Sequence, residues 1–338
     1  MRVGLTYDLR SEYLAAGYSE VDTAEFDQPE TIDALAAALG RLGLEVVRLG
    51  NARQLAARLV AGERWDLVFN FCEGLHGFGR ESLVPALLDT WRIPYVFSDP
   101  LACALTLHKG VAKHVVRGHG LATPDFAVVE SADGARGLRL RYPLFAKPVA
   151  EGTGKGISTA SRARSEAELV AVCAALLERH QQPVIVEEYL PGREFTVGVV
   201  GTGPDARAIG TMEVHLGPKA DPGVYTFDNK EHWEGRVTYS LLAEEPLLTA
   251  VEALAVGAWR ALGCRDGGRL DLRLDAAGTP SFLEANPLAG LNPTHSDLPF
   301  ICRFKGIPYD ELIRQIVLSA VRRADLPVPP ALAARITA

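Results

Sequence analysis

Gly268-Arg269-Leu270-Asp271-Leu272-Arg273-Leu274-Asp275-Ala276-Ala277-Gly278-Thr279-Pro280-Ser281-Phe282-Leu283-Glu284-Ala285-Asn286-Pro287 reads as two alternating runs separated by a glycine-containing turn. Alternation of period two sends successive side chains to opposite faces of a strand, so the stretch predicts a β-hairpin. Leu270, Leu272 and Leu274 share one face, and Arg269, Asp271 and Arg273 share the other. On the return strand Phe282, Glu284 and Asn286 alternate against Leu283 and Ala285. A turn centred between Ala277 and Gly278 sets Asp271 opposite Glu284 and Arg269 opposite Asn286. Two carboxylates and an amide oxygen then converge from neighbouring strands. That is a hard-oxygen set able to hold Mg²⁺ while leaving positions open for nucleotide phosphates. The competing reading is an exposed amphipathic hairpin with a surface ion pair. Asn286 runs into Pro-Leu-Ala-Gly rather than a new element, which favours the metal.

Upstream, Phe145-Ala-Lys147-Pro-Val-Ala-Glu151-Gly152-Thr153-Gly154-Lys155-Gly156 is a strand ending in lysine and followed by closely spaced glycines. Such glycines let backbone N–H groups approach and cradle anionic oxygens, and Lys147 adds a point charge. Val149 and Gly156 stand where a Walker A loop needs Gly and Ser or Thr, so this is not that motif. Next comes Val184-Ile-Val-Glu187-Glu188-Tyr189-Leu190-Pro-Gly-Arg-Glu194, an apolar strand running into acids and a Pro-Gly turn. Carboxylates at a strand end can accept hydrogen bonds from a base amino group or ribose hydroxyls, beside an apolar wall for stacking.

Outward again, the first hundred residues alternate apolar runs with helical periods: Val3 to Tyr7, Ile32 to Leu42, Val46 to Leu49, and Leu67 to Phe71. This predicts a parallel sheet flanked by helices. Pro29 and Glu30 suit a helix's first turn, and Gly40 and Gly43 are candidate stops. No G-x-G-x-x-G follows the first strand, which disfavours a standard NAD site. A helix around Leu105 to Val116 and strands at Phe126 to Val129 and Leu144 to Lys147 predict a small α+β unit. The expected division is 1–100, 101–186, 187–325 and a peripheral tail at 326–338.

The whole chain has 338 residues, 48% hydrophobic and 23% charged, a composition that excludes disordered and collagen-like classes. Its formal charge of −7 opposes a nucleic-acid binder. No run approaches the length of a membrane-spanning helix. Cys72, Cys103, Cys173, Cys264 and Cys302 lack C-x-x-C spacing and read as buried small hydrophobes. The expected protein is cytoplasmic and acts on small molecules, with no nucleic-acid or membrane partner.

The ordered set of Lys109, Lys147 with its glycine loop, Glu187-Glu188-Tyr189-Leu190, Glu194, Arg269-x-Asp271 and Glu284-x-Asn286 resembles the ATP-grasp superfamily. Within it the chain looks most like the D-alanine–D-alanine ligases. Asn70 to Gly74, Gly79-Arg80-Glu81 and Gly290-Leu-Asn-Pro-Thr-His295-Ser296 add to the likeness. The resemblance implies three α/β and α+β domains gripping ATP between the last two. It implies Lys109, Lys147, Glu151, Gly152, Thr153, Gly154 and Lys230 at the nucleotide, with Glu187, Glu188, Tyr189 and Leu190 at adenine and Glu194 at ribose. Asp271, Glu284 and Asn286 would hold Mg²⁺, in a pair of ions for which Mn²⁺ can substitute. Arg269 and the Gly290 amide would stabilise a tetrahedral oxyanion, and His295 and Ser296 would line the second-substrate site. The implied reaction forms an acylphosphate from a carboxylate and ATP, which an amine then attacks. A homodimer is implied as well.

The chain departs from the family in two places. Its opening turn is Tyr7-Asp-Leu-Arg-Ser-Glu12 rather than Gly-Gly-x-Ser-x-x-Glu, leaving Glu12 as candidate replacement for the acid that holds the first substrate's ammonium. Residues 8–30 carry seven acids against one arginine, either a solvated loop or a pocket for a substrate with an extra amine. After Tyr225-Thr-Phe-Asp-Asn-Lys230 the family's tyrosine is Glu231, followed by His232. Two further readings therefore stand beside D-alanine ligation: the same chemistry on other amino acids in specialised metabolism, and a non-catalytic nucleotide-binding regulatory module.

Overall fold

Among the described residues of the computed structural model, 1–217 and 237–336, three sheets form. The first holds β1 (Arg2–Tyr7), β2 (Glu45–Gly50), β3 (Leu67–Phe71) and β4 (Tyr95–Val96) in the order β2-β1-β3-β4, all parallel. Between its strands run α1 (Arg10–Ala15), α2 (Pro29–Arg41), α3 (Ala52–Val60) and α4 (Leu83–Thr90). Pro29 opens α2 as expected, but the helix continues past Gly40 and stops where Gly43 takes a φ of 75°, a left-handed conformation open to glycine without a Cβ penalty. Asn51 and Gln54 close a reciprocal cap on α3.

The helix expected over Leu105 to Val116 is two helices, α5 (Pro100–Leu107) and α6 (Lys109–Gly118). His108 breaks them, with φ −86° and ψ 91°, and its Nδ1 accepts the Val111 N–H at 3.2 Å. An imidazole acting as cap was invisible to apolar periodicity. The break puts Lys109 at the first position of α6, where the helix already presents positive charge.

The second sheet holds β5 (Phe126–Val129), β6 (Leu144–Pro148), β7 (Arg162–Ala163) and β8 (Val184–Glu188), antiparallel in the order β5-β8-β6-β7. Its α7 (Glu166–His180) covers one face by burying Leu169, Cys173 and Leu176 against Leu144, Ala146, Val184 and Val186. Because β8 runs through Glu188, this sheet extends across the expected division after residue 186.

The third sheet is antiparallel, with β9 (Glu194–Val200), β10 (Arg207–Leu216), β11 (Val237–Leu241), β12 (Gly267–Leu274) and β13 (Pro280–Asn286) in the order β11-β10-β9-β12-β13. The hairpin is the one the alternation predicts: Arg269 pairs with Asn286 and Asp271 with Glu284. Asp275 nucleates its turn, with Oδ1 accepting the N–H groups of Ala277 and Thr279, each at 2.8 Å. A register shift after Asp271 pairs Leu272 with Phe282 and turns Phe282 to the buried leucine face, a correction to the strict alternation that grouped it with Glu284 and Asn286. Leu270, Leu272 and Phe282 are fully buried against Trp259 from the helix Leu247–Ala261. Burying each such side chain contributes roughly 1.5–3 kcal/mol. That packing holds the opposite, charged face toward the second sheet.

One apolar core joins the parallel sheet to the chain's end: Leu5, Phe69, Ile32 and Leu35 share it with Leu312, Ile313, Ile316 and Val317 of the helix Tyr309–Arg323. The tail expected to be peripheral is docked there. Leu332 is fully buried in that core, and its carbonyl accepts from Arg314 Nη1 at 3.1 Å. Ile336 N–H donates to Glu311 Oε2 at 3.0 Å. Proline content hid an apolar residue with a place in the core. All five cysteines are buried and free, as expected.

Candidate active site

Three neighbouring cavities share the residues of the hairpin's charged face. The first is lined by Lys147, Glu187, Glu188, Tyr189, Leu190, Glu194, Asp271 and Glu284, with Phe145, Ile157, Arg273 and Leu283 completing its wall. The second, about 140 Å³, is lined by Lys109, Glu151, Gly152, Thr153, Arg269, Glu284, Asn286 and Gly290, and by four residues of the N-terminal unit, Glu25, Glu73, Arg80 and Glu81. The third, about 450 Å³, carries Arg269, Gly290, His295 and Ser296 together with Asp27, Tyr239 and Asp297. Glu284 belongs to the first two and Arg269 to the last two, so the hairpin is the common wall.

The first cavity rests on a buried charge triad. Glu187 is 2.7 Å from Lys113 Nζ and 3.0 Å from Lys147 Nζ. Lys113 also donates to Thr123 Oγ1 and to the Phe282 carbonyl, each at 3.0 Å. Burial pushes the Lys113 ammonium down to about 8 against the pull of Glu187. The same carboxylate holds Lys147 above its ordinary value although burial opposes it. Glu187 lines the cavity as its sequence position predicts, and its charge is engaged by both lysines. Two guanidiniums approach the Tyr189 ring, Arg162 at 4.1 Å and Arg273 at 5.1 Å from its centre. Glu194 pairs with Arg273 at 3.3 Å, and Glu188 with exposed Arg141 at 2.8 Å.

At the shared wall, Asp271 accepts from Thr196 Oγ1 at 2.9 Å and pairs with Arg269, which also reaches Asp297 at 3.4 Å. Lys109 Nζ is 3.3 Å from Glu284 and donates to the Glu151 carbonyl at 2.6 Å. These cations offset carboxylates that face each other across one strand pair. Asn286 has a buried Nδ2 with no hydrogen-bond partner among the described residues. Two facing acids with the neighbouring Asn286 amide, whose oxygen rather than its nitrogen would ligate, suit a hard cation such as Mg²⁺. No group of three or more His, Cys, Asp or Glu able to hold a metal occurs among the described residues, so the metal reading needs the amide and substrate oxygens.

Thr153 takes a φ of 48° and Gly154 one of 76°, a left-handed pair in the loop after β6, whose Gly152 and Thr153 line the second cavity. The Thr153 hydroxyl is buried without a partner among the described residues. Backbone strain of this kind is characteristic of ligand loops. In the third cavity Ser296 Oγ accepts the Asn292 N–H at 3.0 Å, and a Cβ on Gly290 would lie 2.7 Å from that Oγ. Glycine is what lets the chain pass there.

Two described sequence candidates, Glu12 and Gly154, line none of these walls. Glu12 is exposed on α1, which buries no residue. The acids of the 8–30 segment that reach these walls are Glu25, at the second and third cavities, and Asp27, at the third. Arg80 at 2.8 Å, Lys155 at 3.2 Å and the Gly152 N–H at 2.8 Å surround the Glu25 carboxylate. Burial alone would raise it, but Arg80 and Lys155 hold it down at about 2. Lys230, with Glu231 and His232, lies outside the described residues. Lys113, Glu25, Glu73, Arg80 and Glu81 were not among the predicted site residues. Lys113 had a signal, four residues after Lys109 on one helix face.

A family model described as the C-terminus of D-ala D-ala ligase matches residues 115–318. The D-alanine–D-alanine ligase of Bordetella petrii is 35% identical over 280 residues, covering 81% of each chain. The D-alanine–D-alanine ligase of Bacillus anthracis, solved with ATP, superposes with a TM-score of 0.70 at 20% identity, covering 96% of this chain and 99% of that one. The VanG D-Ala:D-Ser ligase of Enterococcus faecalis gives 0.72 at 19% identity over 95% and 99%. No helix among the described residues is long and apolar enough to cross a membrane. By its family model and its relatives, the chain belongs to the D-alanine–D-alanine ligase family and is an ATP-dependent ligase with the ATP-grasp fold.

Proposed function

We propose that the chain joins two small amino acids, activating the carboxylate of the first as an acylphosphate and passing it to the amine of the second. The observation that carries this reading is the alignment of three cavities along one hairpin, with Glu284 shared by the first pair and Arg269 by the second. ATP fits the first cavity: Tyr189 and Leu190 flank the base, Glu194 accepts from ribose, and Lys147 and Lys109 meet the phosphates. Helix α6 begins at Lys109, so its N-terminus adds to the positive field there. Asp271, Glu284 and Asn286 would hold Mg²⁺, which when bound neutralises charge on the transferring phosphoryl group. The second cavity would take the carboxylate donor and the third the amine acceptor; Arg269 and Gly290 line both, where fixed donors stabilise a developing oxyanion. Ser296 and His295 border the acceptor.

D-Alanyl-D-alanine is the product the relatives' names supply. A second reading, the same chemistry on other amino acids, is favoured by Glu25, Glu73 and Glu81 lining the donor cavity while Glu12 stays outside. Cytoplasmic location and a homodimer belong to the same proposal. The test is ADP release from Mg²⁺-ATP with single and paired D- and L-amino acids, products identified by mass. Turnover should require amino acid and yield a dipeptide; ATP hydrolysis indifferent to amino acids would overturn the reading. Glu284→Ala should abolish ADP release, and normal turnover in that variant would remove the metal assignment.

A further inference from the structure

The third cavity brings Arg10 into one wall with Ser296, Arg269 and Asp27. Arg10 lies in the opening turn, where the sequence departs from the family's Gly-Gly-x-Ser-x-x-Glu, so it is a feature of this chain rather than of D-alanine ligation. The backbone sets its position. Leu9 and Asp27 form an isolated parallel bridge, the Arg10 N–H donates to the Asp27 carbonyl at 3.0 Å, and the Asp27 N–H donates to the Asp8 carbonyl at 3.1 Å. The guanidinium so placed is only partly satisfied. Its Nη2 donates to the neutral Glu20 carbonyl at 3.2 Å, its Nε is buried with no hydrogen-bond partner, and no carboxylate pairs with it among the described residues.

The other charges of this wall already have partners. Arg269 is held by Asp271 and by Asp297 at 3.4 Å, and Glu25 by Arg80 at 2.8 Å and Lys155 at 3.2 Å. Asp27 does not offset Arg10: burial, with neighbouring Asp8 adding to it, raises its carboxyl to about 8, so it is mostly protonated at neutral pH. Arginine stays cationic at any working pH, and its planar fork matches a carboxylate with two parallel hydrogen bonds. A guanidinium drawn out of water without an anion is costly, so this one suits a ligand that supplies the anion. In the reading above, Ser296 and its loop meet the carboxylate that every amino-acid acceptor carries. An acceptor with that group alone leaves Arg10 unmatched. The cavity has room for a longer one, at about 450 Å³ against about 140 Å³ for the donor cavity. Resting on that ligase reading, we propose that Arg10 holds a second, side-chain carboxylate, and that the acceptor is an acidic amino acid of the aspartate or glutamate type.

The experiment compares acids with their amides, which match them in size and differ in charge. ADP release from Mg²⁺-ATP is measured with alanine paired in turn with aspartate, glutamate, asparagine, glutamine and a second alanine, in both configurations, and the residue order of each product is read by fragment mass. Binding of the same acceptors in the presence of Mg²⁺ and a non-hydrolysable ATP analogue is followed by calorimetry, which needs no donor. An acid should be used with at least tenfold higher kcat/KM than its amide and should occupy the C-terminal position of the product. R10M should collapse that ratio toward one through the acceptor KM while KM for ATP holds, and R10K should restore part of it. The acid and amide are first compared on the unaltered protein, so the outcome does not depend on a variant folding. Equal use of acid and amide overturns the subsite and leaves the ligase reading standing. A loss in R10M as large for alanine as for aspartate assigns Arg10 to the carboxylate common to all acceptors and overturns the subsite too. Acid-selective binding that R10M abolishes, with no ADP release in any pairing of D- or L-amino acids, supports the subsite and overturns the ligase reading. Absence of an acid preference in both assays removes the proposal.

Discussion

Lys113 shows how a single residue conditions the site without lining its cavities. Its ammonium has no exposed surface, and it ties Glu187 to the Phe282 carbonyl at the hairpin's return strand. Removing one partner of a buried pair typically costs 3–5 kcal/mol because the other charge is left uncompensated. Here Lys147 still reaches Glu187 at 3.0 Å, so Lys113→Met should lose about 3 kcal/mol, the low end of that range. Denaturant unfolding measures it. Nucleotide affinity should fall too, since Lys147 then serves Glu187 alone; a stability change under about 0.5 kcal/mol would show that the triad is not structural. Sequence reading found Lys147 and Glu187 because each ends an apolar strand, whereas Lys113 lies mid-helix. Charge on a helix face reads as solvated until the packing partner is known.

At the scale of the element, the hairpin was the most legible part of the chain. Alternation is local, and the Asp275 turn fixes the register, so the facing of Asp271 with Glu284 follows from sequence. The break at His108 was not legible, because it depends on one imidazole accepting a backbone N–H. Nor was the placement of Glu25 at the cavity wall while Glu12 stays exposed, since it depends on Arg80 and Lys155 arriving from other segments. The hairpin's own weak point is Gly268. A Cβ there would lie 2.5 Å from the Asn286 carbonyl oxygen and 2.7 Å from the Trp259 ring. Backbone and a fully buried ring are both poor at yielding. Gly268→Ala should therefore cost about 1–3 kcal/mol and move Asn286 relative to Asp271. Thermal unfolding gives the first effect. Mg²⁺ titration of ATP turnover gives the second, as a raised metal requirement; an unchanged requirement would separate strand pairing from the proposed metal site.

Across the whole molecule, the parallel sheet and the third sheet are tied by polar as well as apolar contacts. Asp266 is fully buried at the entry to β12, and its carboxylate accepts from the Phe97 N–H at 2.8 Å, Ser319 Oγ at 2.8 Å and Arg323 Nη2 at 2.8 Å. Arg323 in turn donates to the Tyr95 carbonyl at 2.8 Å. One side chain thus joins the end of the first sheet, the start of the β12–β13 hairpin and the last long helix. The second cavity depends on this tie, because Glu73, Arg80 and Glu81 come from the N-terminal unit and Glu284, Asn286 and Gly290 from the third sheet and its exit loop. Asp266→Ala strands a guanidinium and a backbone N–H together, a loss of about 3 kcal/mol or more. Asp266→Asn keeps an acceptor for some of the donors and should lose less. Denaturant unfolding of both variants orders them, and KM for the donor amino acid should rise in the same order as the cavity's two walls loosen. Equal stability of wild type and Asp266→Ala would mean that the shared apolar core alone sets the relation between the sheets.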